Sequence, residues 1–242
     1  MSQQLYTETS LSTPLTSVVM ETPSYRSVID EVCGLNWSGL SRDELIDVAW
    51  MYYYFSVQFC ETVGIARDLF PDDKQLESLD AGERNTDNLS PCAGVVGVGE
   101  RVDHDEFMRR TLTLTPIDPA RRLRLQAIGA AYLTKIRAAS AILRSRSLAS
   151  YEDGGLERVF RSILNARDWN DPLLVAFKHF LIGHIELDSD PAGGHGALCR
   201  HLQPTEDVVD VWLAFRDGLT AAAPTLLEPV CDGVEKAPAL QA

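Results

Sequence analysis

His184 and Asp188 stand four residues apart in the run FLIGHIELD, in an otherwise apolar stretch. Leu173, Phe177, Leu181, His184 and Asp188 follow one another at steps of four, four, three and four, the spacing of a single helix face. That face is the apolar one, so both polar groups are expected to point inward. A buried carboxylate is costly unless it is paired or binds a metal. A His–Asp pair that satisfies itself is one answer, and a metal ion is the other.

Further inward polar groups favour the metal. Glu61 shares a face with Trp50, Tyr54 and Val57, and Glu83 with Leu76 and Leu79. His104 sits with Phe107 and Met108, and Glu152 with Leu156, Val159 and Ile163. Carboxylates and imidazoles converging inside a helical bundle are the design of di-iron and di-manganese sites. Oxygen and nitrogen donors without thiolates suit iron or manganese better than a structural zinc. Glu157 is a rival for the Glu152 position. Asp87 and Asn88 could hold a ligand from behind or simply cap the helix end. His179 is expected on the surface, and His201 in a loop.

Other chemistries lack their residues. The stretch GVVGVG, Gly94 to Gly99, follows no strand and reads as a loop. There is no Walker-type lysine, no GxSxG and no HExxH.

The elements that must position these groups are helices. SRDEL at Ser41 to Leu45 is a capping box opening a long apolar stretch that ends at Pro71. A shorter helix follows in the segment from Asp72 and runs into a polar turn, then the Gly/Val loop, then a helix from about His104. Two helices are expected between Pro119 and Asp168, with a break near Asp153 to Gly155. The His184 helix starts at Asn170 or Asp171, with Pro172 in its first turn, and Thr205 caps a last amphipathic helix. No alternating run and no repeat argues for strands. The reading is all-α, about seven helices in one domain over residues 29–232. An N-terminal arm (1–28) and a loose tail (233–242) flank it.

The bulk properties narrow the function. The chain has 242 residues, 45% hydrophobic and 24% charged, with a net charge of −13. That charge argues against nucleic acid and against an anionic membrane surface. No apolar run approaches the ~20 residues that span a bilayer. The N-terminus lacks the basic and apolar regions of a signal peptide. Cys33, Cys60, Cys92, Cys199 and Cys231 show no CxxC spacing, which fits reduced thiols in a cytoplasmic protein.

Over roughly residues 45–215 the chain resembles the heme-oxygenase-like diiron oxidases and oxygenases, whose superfamily also contains TenA-like and PqqC-like helical proteins. That family carries a Glu on its first core helix, then a Glu followed by a His. A Glu on a middle helix comes next, then a late helix with His-x3-Asp and a further His. Matched to this chain, the pattern falls on Glu61, on Glu83 with His104, on Glu152, and on His184 with Asp188. The family's last His often stands three residues after the Asp. Here Asp190 stands near that place and the next histidine is His195, so either the chain returns His195 to the metal or that ligand is missing.

The resemblance implies a single-domain heme-oxygenase-like helical bundle holding two Fe(II) ions, with manganese as the alternative. O2 is the implied co-substrate, and an external reductant supplies electrons. Trp50, Tyr54 and Phe177 are expected as apolar pocket walls. The expected activity is oxidation of a small molecule in specialised metabolism. N-oxygenation of an amine or amino-heterocycle to an N-hydroxy or nitro product is the specific choice, over C–C cleavage or desaturation. A homodimer is expected. Heme is not, because the first histidine is His104. The alternatives are a metal-free helical binding or scaffold protein, and a TenA-like cofactor-free hydrolase using Cys199 or Cys60. Convergence of the ligands in one cavity discriminates among them.

Overall fold

A computed structural model describes residues 23–152, 154–188 and 194–229, with the Asp188 side chain outside that description. Among the described residues the protein is all-helical, with ten α-helices and two isolated β-bridges. The helices are α1 (Tyr25–Cys33), α2 (Arg42–Leu69), α3 (Lys74–Glu83), α4 (His104–Thr111) and α5 (Pro119–Arg137). They continue with α6 (Ala141–Glu152), α7 (Gly155–Ile163), α8 (Pro172–Asp188), α9 (His195–Cys199) and α10 (Val209–Ala222). All ten contribute to one hydrophobic cluster.

Helix α2 is the axis of the packing. Ser41 Oγ accepts from the Glu44 amide at 3.2 Å and the Glu44 carboxylate accepts from the Ser41 amide at 3.2 Å, so the expected capping box is present. Buried residues such as Leu45, Ile46, Val48, Ala49, Met51 and Tyr52 cover more than one face of the helix. A helix apolar nearly all round belongs in the interior. It packs against α3, α4, α5, α6, α8 and α10. Tyr52 sits at the centre, its ring 5.3 to 6.4 Å from those of Phe55, Phe160, Phe177, Phe180 and Phe215.

Ten helices replace the expected seven. Helix α1 starts at Tyr25, so residues 25–28 of the expected arm form its first turn, with Ser24 as N-cap. The segment read as one helix before Asp153 divides into α5 and α6. Ser140 starts the second, its Oγ accepting from the Leu143 amide at 3.2 Å. Helix α9 is a third addition. Thr205 makes no side-chain cap; a 3-10 turn over Glu206–Val208 leads into α10 instead. The break after α6 falls where expected, and Gly154 takes a φ of 88°, a turn that a residue with a Cβ adopts at a cost. That turn leaves Glu152 as the last residue of α6. No helix among the described residues is long and apolar enough to cross a membrane.

Candidate metal centre

Five of the seven expected ligands meet in the interior: Glu83, His104, Glu152, His184 and His195, each between 2 and 5% exposed. They form two triads with one shared member. Glu83, His104 and His184 make one; Glu83, Glu152 and His195 make the other.

Local structure explains the meeting. Glu83 ends α3 and His104 begins α4. The long interval between them is closed by an antiparallel bridge, in which Thr86 and Val102 exchange amide–carbonyl bonds of 3.1 and 2.9 Å. The Gly/Val loop is therefore an excursion that leaves its two ends together. Helix α8 brings His184 across from α4, and α9, packed on α3 and α6, brings His195 back. The chain thus returns His195 to the site.

Each oxygen of Glu83 serves a different triad. Oε2 lies 2.7 Å from His104 Nδ1, and Oε1 lies 3.1 Å from His195 Nδ1. His195 Nδ1 is also 3.4 Å from Glu152 Oε2. That Glu152 oxygen is fully buried and has no hydrogen bond of good geometry among the described residues.

The hydrogen-bond network assigns the histidine tautomers. Asn88 Nδ2 donates to the Gly82 carbonyl at 2.8 Å, which turns Asn88 Oδ1 toward His104 Nε2 at 3.0 Å. An amide oxygen only accepts, so the His104 proton is on Nε2. His184 Nδ1 lies 2.8 Å from the Phe180 carbonyl, so its proton is on Nδ1. The remaining nitrogens, His104 Nδ1 and His184 Nε2, face each other 3.0 Å apart beside the Glu83 carboxylate. Three lone-pair donors converging in a buried space attract a cation.

The donor set fits a metal ion on three counts. Bonds of about 2.1 Å to an octahedral ion put adjacent donors about 3.0 Å apart. Four of the separations here are 2.7 to 3.4 Å, and within each triad every donor lies within 4.8 Å of the others. The donors are carboxylate and imidazole, the set that suits iron and manganese. Protonation also fits: burial, helped by His104, lowers His184 to about 3, so it is a neutral ligand at neutral pH. Burial alone would raise Glu83, but the charge and N–H bonds of His104 and His195, when a proton rather than a metal faces the carboxylate, outweigh it and hold the carboxyl well below its usual range. His195 differs: burial opposes its charge, yet Glu152 and Glu83 hold its pKa well above the usual histidine value, so this ring must release a proton when it takes an ion.

Tyr52, Phe55, Phe59, Leu156 and Phe180 wall the cavity, with Ser56 and Cys60. About 10 Å³ is free for the centre of a water-sized sphere, which is room for about one water.

Three expectations are corrected. Glu61 lies outside the cluster, its carboxylate held by Arg137 at 2.5 Å and Arg144 at 3.1 Å. Trp50 and Tyr54, on the same half-buried face of α2, do not line the cavity; Tyr54 packs against Gly129 of α5. Phe177 stands one layer back, 5.6 Å from the Tyr52 ring. The face of α2 that lines the site runs through Tyr52, Phe55, Ser56, Phe59 and Cys60. Glu157, the rival of Glu152, pairs with Arg161 at 2.7 Å away from the cluster. The Asp188 side chain and Asp190 lie outside the described residues. Asn88 holds His104 from behind, whereas Asp87 faces Arg101 at 3.6 Å.

No protein-family model matches this chain, and no curated protein matches it. The functional reading therefore stands on the site itself.

Proposed function

We propose that the protein is a non-heme diiron enzyme that activates O2 to oxidise a small molecule, built as a single-domain heme-oxygenase-like bundle. The observation that carries this reading is Glu83, whose two oxygens reach two separate ligand triads. A carboxylate so placed could serve two ions, one through each oxygen. His104 and His184 would hold one ion, and Glu152 and His195 the other. Manganese is the alternative metal.

When bound, the ions would supply the O2 binding and the electron exchange that oxidation requires. The protein's own contribution is order and dryness. Asn88 fixes the His104 tautomer and Phe180 that of His184. The aromatic walls exclude water, so charges in the cavity act through a low dielectric. Glu152, with an oxygen that makes no hydrogen bond of good geometry among the described residues, would keep a ligand atom available for the second ion. Electrons come from an external reductant. N-oxygenation of an amine or amino-heterocycle is the reaction we favour, on resemblance alone.

Cys60 bears on the thiol-hydrolase reading because it lines the same cavity. Burial, with the Glu83 and Asp105 charges, pushes its pKa well above the usual thiol value. A thiol kept protonated is a poor nucleophile, which favours the diiron reading.

The test is anaerobic Fe(II) titration of metal-free protein, followed by O2, with Mössbauer detection. Two irons per chain that turn ferric with O2 are expected. Failure to bind iron would return the cluster to a self-paired core, as in a metal-free scaffold.

A further inference from the structure

Gly82 lies beside Glu83 on α3, and its missing side chain is used. A Cβ built on Gly82 would stand 2.7 Å from His195 Nε2, closer than real side chains approach. The His195 ring therefore occupies the space that any other residue at position 82 would fill. The same ring presents Nδ1 to Glu83 at 3.1 Å and to Glu152 at 3.4 Å. His195 starts α9, a helix of five residues. A ring at the start of so short an element turns aside more readily than α3 yields.

We infer that Gly82 sets the number of metal ions the site holds. This rests on the dinuclear reading above and adds a residue to it that is not a ligand. A methyl group at position 82 would turn the His195 ring out of the second triad. The first triad would be left whole, because Gly82 reaches it only through its backbone. That contact is the Gly82 carbonyl, which accepts from Asn88 Nδ2 and so supports His104. Alanine keeps the carbonyl. Gly82 is thus a positioning residue with two separable parts: absent side chain for His195, carbonyl for His104.

The variant Gly82→Ala is compatible with the helix, since alanine favours helical backbone over glycine. Gly64→Ala is the control: its Cβ would meet nothing nearer than Arg84 Nη1 at 3.8 Å.

The experiment is Mn(II) binding to the full chain, read as ions per chain and by electron paramagnetic resonance. A lone Mn(II) gives a six-line signal, and a carboxylate-bridged pair gives a coupled spectrum. The wild type and Gly64→Ala are expected to bind two ions with a coupled spectrum. Gly82→Ala is expected to bind one, with the six-line signal and unchanged circular dichroism. His195→Ala must give the same one-ion protein. A coupled pair in Gly82→Ala overturns the inference and leaves the dinuclear reading intact. Two ions in His195→Ala overturn it as well, even where Gly82→Ala does not fold. No Mn(II) in the wild type overturns the dinuclear reading, and the inference with it.

Discussion

His104 Nδ1 and His184 Nε2 stand 3.0 Å apart with both ring protons committed elsewhere. Each nitrogen offers the other a lone pair, next to a carboxylate that offers two more. A cation set between the two rings and Glu83 relieves that opposition. The arrangement is poised to take up a metal ion. Its poise depends on Asn88.

Asn88→Ala removes the acceptor that keeps the His104 proton on Nε2. The proton can then move to Nδ1 and bind Glu83 directly, which blocks the metal-facing nitrogen. Loss of such an outer partner typically costs about 10–100-fold in metal affinity. That loss is expected in a Co(II) or Mn(II) titration, with little change in thermal stability. Nitrogen-15 spectra of the histidines should show the tautomer change in metal-free protein. Asn88→Asp keeps an acceptor for His104 but loses the donor to the Gly82 carbonyl that orients it, so it should retain only part of the affinity.

Glu83→Gln and Glu152→Gln separate a bridge from an ordinary ligand. Glu83 touches both triads and Glu152 only one. Metal content by elemental analysis should fall from two ions to none in Glu83→Gln, and from two to one in Glu152→Gln. Equal losses in the two variants would mean that Glu83 serves one ion only.

Much of this site was legible because inward polar residues break an apolar period. His184 on the α8 stripe, and Glu83 behind Leu76 and Leu79, both announce themselves this way. Glu61 misled for a related reason. The run WMYYYF on α2 has aromatic residues at almost every position, so the period cannot say which face is innermost. The half-buried face carries Trp50, Tyr54 and Glu61, and the cavity face is rotated to Tyr52, Phe55 and Phe59. The return of His195 depends on a five-residue helix too short for any period, and the Thr86–Val102 bridge on a loop with no strand signal. Gly82 gave no signal at all, since a glycine used for close approach looks like any other glycine until its neighbour is known. The α5–α6 break had only Ser140 to mark it, without the glycine or proline that usually announces a stop.

Cys60 supplies a test against thiol chemistry. It is buried in the cavity wall, and burial together with the charges of Glu83 and Asp105 raises its pKa. The native thiol should react with maleimide at neutral pH far more slowly than the same thiol in unfolded protein. Cys60→Ala should bind two ions and keep whatever oxidation the wild type performs. A variant that binds metal normally but loses all turnover would assign the chemistry to the sulfur.

Glu61 is the internal control for the ligand assignment. Its carboxylate is held by Arg137 and Arg144, and those hydrogen bonds, Arg137 first, lower its pKa against the opposing effect of burial. Glu61→Gln should therefore leave metal binding unchanged. Its cost is in stability, and because the carboxylate is about a third exposed the screened value is about 0.5–1 kcal/mol. The sign with pH follows from the direction of the shift. A carboxyl whose pKa is lower folded than unfolded stabilises the fold above its unfolded pKa, near 4.5. That contribution fades as the pH falls through the folded value. Urea unfolding of wild type and Glu61→Gln at pH 7 should differ by this amount, and the two curves should converge in acid. A gap that persists below the folded pKa would mean that the glutamine disturbs the packing around Arg144, independent of charge.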